Sequence, residues 1–187
     1  MLLLASTSPR RKELLAMAGY EFTAVPANVS EAFPHGTPPM QMVEQLAMRK
    51  AQAVAKLHPE DTVLAADTVV VLKGRILGKP KDDEMANAML KLLSGNVHQV
   101  YTGYTVISGK NFLCGHECTS VEFYALTPAE ISAYVATGEA SDKAGAYGIQ
   151  GRGALFVKRI NGDFYNVVGL PIAKINRILQ NLGARAK

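Results

Sequence analysis

Short apolar runs alternate along this chain with longer segments whose apolar residues have helical spacing. The runs that predict strands are residues 2–4, 21–25, 62–72, 97–107 and 112–124. Residues 62–72 are almost continuously apolar, as in a strand that is buried on both faces of a sheet. Lys73-Gly74-Arg75 predicts a hairpin after that strand. A second hairpin is predicted between residues 154–160 and 164–168, across Asn161-Gly162.

Five segments carry apolar residues three or four positions apart and therefore predict helices. Their predicted starts are Pro9, Thr37-Pro38-Pro39, Asp82–Asp83, Thr127 and Gly169-Leu170-Pro171, and Thr127-Pro128-Ala129-Glu130 has the form of a capping box. The side chains predicted to face the core in the second, third and last helices are Val43, Leu46, Ala47, Ala51, Val54 and Leu57; Met85, Ala86, Met89, Leu90 and Leu93; and Ile172, Ile175, Ile178, Leu179 and Leu182.

The first predicted strand and helix are joined by a turn of small residues. Ser8 is a good N-cap, and Pro9 fits the first helical position, where no backbone N–H is needed. The free N–H groups at such a helix start attract anions, and Arg10 and Arg11 add guanidinium forks that suit phosphate oxygens. The alternative at this point is a capped surface helix with two solvated arginines.

Two charged residues precede the long apolar strand. Glu31 lies in a Pro- and Ala-rich loop, where a glutamate is usually solvated surface. Lys50 lies on or beside the buried stripe of the second helix, unlike Arg49 and Lys56. A lysine there either snorkels to the rim or reaches into a cleft.

Asp67 stands in the middle of the apolar run 62–72. A buried carboxylate without partners costs several kcal/mol, so it requires a cation, a metal or hydrogen-bond donors. The structural alternative is a strand that ends near Ala66, with Asp67 in a bulge that bonds the backbone.

Glycines mark two places where backbone comes close to something. Thr102-Gly103 interrupts a predicted strand and predicts a bulge or a close backbone approach. Residues 142–153 contain four glycines and predict a loop, which resembles neither a P-loop nor a dinucleotide fingerprint.

Composition excludes some classes of protein. The chain has 187 residues, of which 48% are hydrophobic and 19% charged, so a disordered protein is excluded and one domain over 1–187, split into two lobes, is expected. The net charge of +4 suits a small polyanion as well as nucleic acid. No apolar run is long enough to span a bilayer and the N-terminal residues do not have the form of a leader, so we expect no membrane association and a cytoplasmic location.

Cys114, His116 and Cys118 would share one face of a strand. No fourth ligand is evident, and structural zinc sites take their cysteine pairs from turns. We therefore expect a strand face with two small buried thiols and a partly exposed histidine rather than a metal site.

The charged candidates taken together suggest phosphate chemistry. They are Arg10, Arg11, Glu31, Lys50, Asp67 and Lys79. Cations with isolated carboxylates fit a metal-assisted attack of water on a phosphate chain, in which a carboxylate takes the proton of the water. No set of nucleophile and histidine base is apparent.

Five motifs spread over nearly the whole chain resemble the Maf family of nucleoside triphosphate pyrophosphatases. They are Ser6-Thr7-Ser8-Pro9-Arg10-Arg11, Ala66-Asp67-Thr68, Gly78-Lys79-Pro80, residues 142–151 and Val168-Gly169-Leu170-Pro171. The resemblance implies an α/β fold with a central twisted mixed β-sheet flanked by helices, two lobes around a cleft, and similarity to the inosine-triphosphatase fold.

The resemblance also implies an activity and a set of roles. The family cleaves nucleoside triphosphates between the α and β phosphates, and the form Ala-Tyr-Gly-Ile-Gln-Gly at residues 146–151 resembles the subgroup that acts on dTTP and UTP. Asp67 corresponds to the general base, and a divalent cation, Mg²⁺ or Mn²⁺, is expected at Glu31 and Asp67. The residues expected to bind substrate are Ser8, Arg10, Arg11, Lys50, Thr68, Lys79 and Gln150.

The second hypothesis is a nucleic-acid-binding or partner-binding regulator of septum formation and cell division. The pI of about 9.1 permits nucleic acid. However, the chain carries no basic patch with interleaved aromatic residues and no recognition-helix signature, which disfavours nucleic acid as a partner. The sequence leaves open a homodimer, the metal used in the cell and the physiological pyrimidine nucleotide.

Overall fold

The computed structural model of the protein describes residues 1–184 and 186, so residues 185 and 187 of the domain predicted over 1–187 lie outside the described part. The strands are β1 (Leu2–Leu4), β2 (Thr23–Ala24), β3 (Thr62–Leu72), β4 (Arg75–Leu77), β5 (Val97–Ser108), β6 (Asn111–Phe123) and β7 (Val157–Asn161). The helices are α1 (Pro9–Met17), α2 (Pro39–Ala55), α3 (Asp83–Leu93), α4 (Pro128–Val135), α5 (Phe164–Val168) and α6 (Ile172–Asn181), with short 3₁₀ segments at Ala144–Ala146 and Arg152–Phe156.

The strands of the described residues form one mixed sheet of seven strands, in the order β2-β1-β3-β5-β6-β7 with β4 paired to β3. β1 is parallel to both of its neighbours, with Leu2 opposite Thr62 and Leu4 opposite Ala24. β4 runs antiparallel to β3, and β7 runs antiparallel to β6. The expectation of an α/β fold with a mixed sheet and flanking helices is thus confirmed.

The chain forms two compact units. Unit 1 contains residues 1–67, 102–117 and 169–187, and unit 2 contains residues 68–101 and 118–168. In unit 1, Leu3, Val63 and Ala65 of the sheet pack with Ala51 and Val54 of α2, all of them at most 2% exposed. One apolar face of the sheet therefore packs against the apolar stripe of α2, as the strand and helix spacings of the apolar residues predict.

Gly103 is the close backbone approach that the sequence predicts. A Cβ atom at this position in β5 would lie 2.3 Å from the carbonyl carbon and oxygen of Val43 in α2. Only a residue without a side chain lets the strand and the helix approach so closely.

The core of unit 2 contains a cluster of aromatic rings around His98. The His98 ring meets Phe123 and Tyr147 edge to face, and its Nε2 lies 2.7 Å from the Tyr147 hydroxyl. Burial lowers the pKa of His98 to about 4, because the charged ring would lose its hydration.

The second predicted hairpin is wrong. Residues 164–168 form α5, and β7 pairs with β6 instead. The Asp163 carboxylate accepts hydrogen bonds from the backbone N–H groups of Tyr165 (2.7 Å) and Asn166 (3.3 Å), which caps a helix start. A run of five mostly apolar residues fits either period, and this cap favours the helix.

Some predicted core positions are also wrong. Leu57 is 75% exposed because α2 ends at Ala55, and Met85, in the first turn of α3, is 37% exposed. Ile178 and Leu182 are half-buried. Cys114 is exposed and Cys118 half-buried, so the thiols are not the buried pair that we expected. None of the helices described is both long and apolar enough to cross a bilayer.

Candidate active site

The turn between β1 and α1 is organised by the hydroxyl of Ser6. Its Oγ accepts hydrogen bonds from the backbone N–H of Ser8 and from Nη1 of Arg11, both at 3.2 Å. Nε of Arg11 donates to the carbonyl of Gly169 at 2.8 Å. The Arg11 side chain therefore connects the turn to the Gly169-Leu170-Pro171 motif. Arg11 is buried, so the alternative of two solvated arginines is wrong for this residue.

The pKa of Arg11 is shifted by its burial and by two neighbouring charges. Burial is the main effect and lowers the pKa of the guanidinium, the charge of Arg10 adds to the lowering, and the charge of Asp67 raises it. Asp67 is thus within electrostatic range of Arg11, and the two residues belong to the same unit.

Ser8 occupies the N-cap position of α1, as predicted, but among the described residues its side chain accepts no capping hydrogen bond. Ser8 and Arg10 are both half-buried. The N-terminal N–H groups of this nine-residue helix are therefore not satisfied by the Ser8 hydroxyl.

Lys50 reaches the carboxylates instead of snorkelling into solvent. Its Nζ lies 2.7 Å from Oδ1 of Asp67 and 3.2 Å from Oε1 of Glu31. The Lys50 and Asp67 side chains are 14% and 17% exposed, whereas Glu31 is 67% exposed. β3 continues through Leu72, so the alternative of a strand that ends near Ala66 is wrong, and the partner that Asp67 requires is the ammonium group from α2.

The remaining predicted site residues belong to unit 2. Thr68 follows Asp67 in β3 and is half-buried, while Lys79, after β4, and Gln150 are exposed. The backbone N–H of Gly145 donates to the carbonyl of Gly78 at 3.0 Å, which holds the glycine-rich loop against the segment that contains Lys79.

Glu139 and Tyr134, which the sequence analysis did not identify, hold the glycine-rich loop on both sides of Gln150. The Glu139 carboxylate accepts from the backbone N–H of Arg152 at 3.0 Å and 3.3 Å, and the Tyr134 hydroxyl accepts from the N–H of Gly148 at 3.1 Å. A Cβ at Gly151 would lie 2.3 Å from Oε2 of Glu139. The four glycines were the available signal, and they indicate contact with another segment but not which one.

The possible metal ligands are carboxylates. No group of three or more His, Cys, Asp or Glu side chains within the described residues is placed to hold a metal ion. At Cys114–Cys118, His116 instead contacts Oε1 of Glu44 at 2.7 Å. Asp67 and Glu31 each place one oxygen on the same ammonium nitrogen, and two carboxylates fit Mg²⁺ or Mn²⁺, which take further oxygens from water and substrate phosphates.

Comparison with known proteins gives a consistent result over nearly the full length. The family model described as Maf-like protein matches residues 1–182. Proteins named dTTP/UTP pyrophosphatase are 52% identical in Geobacillus sp. (strain WCH70), covering 97% of this chain and 98% of that protein, and 52% identical in Moorella thermoacetica (strain ATCC 39073 / JCM 9320), covering 97% and 95%. The solved structure of the Staphylococcus aureus Ham1 protein aligns with 65% of this chain and 71% of its own, at 19% identity and a TM-score of 0.47.

Proposed function

Since the chain belongs to the Maf-like protein family, we propose that it is a nucleoside triphosphate pyrophosphatase that hydrolyses dTTP and UTP to the monophosphate and pyrophosphate. Relatives named for this activity match it over almost their whole length at about half identity. The structural observation that carries the proposal is the group of Lys50, Asp67 and Glu31, with Asp67 also in electrostatic range of Arg11.

Asp67 is the proposed general base. Its carboxylate takes a proton from the attacking water, and the water oxygen forms a bond to the α phosphorus. The bond between the α phosphorus and the oxygen that bridges the α and β phosphates breaks. Pyrophosphate leaves with the electron pair of that bond. Lys50 fixes the orientation of the Asp67 side chain through Oδ1, so that the second carboxylate oxygen can accept the proton.

A divalent cation, Mg²⁺ or Mn²⁺, is the proposed cofactor, with Glu31 and Asp67 as its protein ligands. When bound, it neutralises part of the phosphate charge and so makes attack on phosphorus easier. Ser8, Arg10 and Arg11 are the proposed phosphate ligands of unit 1. Thr68, Lys79 and Gln150 of unit 2 stay predictions as substrate-binding residues.

The test is pyrophosphate release from a panel of nucleoside triphosphates, with and without Mg²⁺ or Mn²⁺. Asp67→Asn keeps the shape of the side chain but not its basicity, so we expect turnover of dTTP and UTP to fall by roughly 10²–10⁴-fold. The matched control is Asp83→Asn, which changes an exposed carboxylate in the first turn of α3 and should retain the activity.

Two results would contradict the proposal. Unchanged turnover in Asp67→Asn would remove this residue from the mechanism. Absence of turnover with every triphosphate, together with salt-sensitive DNA binding, would favour the nucleic-acid-binding regulator instead.

A further inference from the structure

We propose that Arg49 is a positioning residue for Glu31 and thereby sets the affinity of the protein for its divalent cation. This inference rests on the proposed function, in which Glu31 and Asp67 are the metal ligands. Glu31 lies in the segment between β2 and α2, residues 26–38, which we call the Glu31 loop. All the residues involved belong to unit 1.

Arg49 contacts the Glu31 loop on both sides of Glu31. Its Nη1 donates hydrogen bonds to the carbonyl of Ser30 at 3.0 Å and to that of Ala32 at 3.1 Å. The guanidinium carbon lies 4.4 Å from the centre of the Phe33 ring, a cation–π contact. One side chain therefore holds the residue before the proposed metal ligand and the two residues after it.

The Glu31 loop contains no helix or strand, and most of its residues are exposed. Inside it, the N–H of Ala32 donates to Oγ of Ser30 at 3.3 Å, which is a local turn and does not fix the loop to the sheet. A carboxylate on a loop that is free to move must be ordered when it binds a cation, and that ordering weakens binding. Contacts that order the loop beforehand strengthen it.

Arg49 and Lys50 are consecutive residues of α2, and they act on different parts of the loop. Lys50 contacts the carboxylate of Glu31, while Arg49 contacts the backbone around it. A cation is expected to compete with the ammonium of Lys50 for Oε1 of Glu31, because both are positive. The hold on the loop backbone by Arg49 does not involve that oxygen and can persist when a cation is bound.

The position requires arginine and not only a positive charge. A guanidinium is planar, donates several hydrogen bonds in fixed directions and stacks on an aromatic face, whereas an ammonium is a compact point charge. Arg49→Lys therefore retains the charge near the metal site and removes the geometry. This matters because the loss of a positive charge by itself would strengthen cation binding.

The experiment measures Mn²⁺ binding to the full chain without nucleotide, by the electron paramagnetic resonance signal of free Mn²⁺. We expect Arg49→Lys to weaken binding by roughly tenfold, as for other residues that orient a metal ligand. Phe33→Leu retains an apolar side chain without the ring quadrupole, and it should weaken binding by about twofold. The matched control is Lys56→Arg, which likewise exchanges one basic side chain for another, at an exposed position after the end of the same helix, and should leave the affinity unchanged.

A second measurement separates positioning from general stabilisation of the fold. In pyrophosphate release, the Mn²⁺ concentration for half-maximal rate should rise in Arg49→Lys by the same factor as the dissociation constant, while kcat at saturating Mn²⁺ stays unchanged. In a Glu31→Gln background, Arg49→Lys should have no further effect on Mn²⁺ binding, since both changes act through one ligand.

The outcomes are distinguishable. If the wild-type protein hydrolyses dTTP and UTP but Arg49→Lys and Phe33→Leu leave the Mn²⁺ dependence unchanged, the inference about Arg49 is overturned and the proposed function stands. The inference is likewise overturned if the tenfold weakening persists in the Glu31→Gln background. A wild-type protein that neither binds Mn²⁺ nor releases pyrophosphate overturns both.

Discussion

The ion pair between Lys50 and Asp67 makes a quantitative prediction about stability. Lys50→Met removes the ammonium and keeps the length of the side chain, and Asp67→Asn removes the carboxylate charge and keeps its shape. Lys50→Met leaves the Asp67 carboxylate without its ammonium, and Asp67→Asn leaves Lys50 with only the exposed Glu31. The Lys50 and Asp67 side chains are both less than one-fifth exposed. The double variant removes both charges of this pair, and Glu31, the second partner of Lys50, is 67% exposed and can be hydrated.

The distance and the burial set the magnitude. At 2.7 Å and an effective dielectric constant of about 20, two unit charges attract each other by about 6 kcal/mol before the loss of hydration is subtracted. Fully exposed pairs contribute at most about 1 kcal/mol, and breaking a fully buried pair costs roughly 3–5 kcal/mol. For this mostly buried pair we expect each single variant to lose about 2–3 kcal/mol, with a coupling energy of about 2 kcal/mol.

The assay is urea unfolding of the four proteins of a double-mutant cycle. The double variant should be about as stable as either single variant, because its second change removes a charge that already lacked its partner. Its pyrophosphatase activity should nevertheless stay low, since the proton acceptor is absent. If the two losses of unfolding free energy add to within about 0.5 kcal/mol, the partnership of Lys50 and Asp67 is refuted.

Three further changes test other parts of the molecule. Gly103→Ala places a Cβ against the backbone of Val43, which cannot move aside easily, so we expect the free energy of unfolding in urea to fall by about 3 kcal/mol. The control Gly78→Ala, with no described atom within 4 Å of its Cβ position, should be near neutral. Equal losses in the two variants would contradict the close approach. The pKa of His98 is lowered to about 4, so the unfolded chain takes up the proton first as pH falls below about 6.5, and stability should decrease by about 3 kcal/mol between pH 6.5 and pH 4. His98→Gln should flatten that part of the pH profile, and an unaltered profile would show that other groups cause it. Gln150→Ala should abolish side-chain amide contacts to the base, and a dTTP-to-dCTP preference in kcat/KM that does not change would remove Gln150 from base selection.

Elements whose signals are local could be predicted from the sequence. β3 was expected over residues 62–72 and has those bounds. α4 begins with the predicted capping box, in which the backbone N–H of Glu130 donates to Oγ1 of Thr127 and the Glu130 carboxylate accepts in return. The helix at 164–168 was missed because its cap, Asp163, lies next to an apolar run too short to show a period.

Within the candidate site, the sequence determined requirements and the tertiary structure decided which residues meet them. An aspartate in an apolar strand requires a cation, a metal or hydrogen-bond donors, and a lysine beside a buried helical stripe either snorkels or reaches into a cleft. Nothing in the sequence makes these two residues partners. Their separation of 17 positions exceeds the range of helical and strand periods. Arg11 shows the same limit more strongly, since its partner carbonyl at Gly169 is 158 residues away and its burial depends on that distant segment. Side-chain chemistry and local spacing are properties of the chain, whereas burial and long-range pairing arise only when packing brings separate segments together.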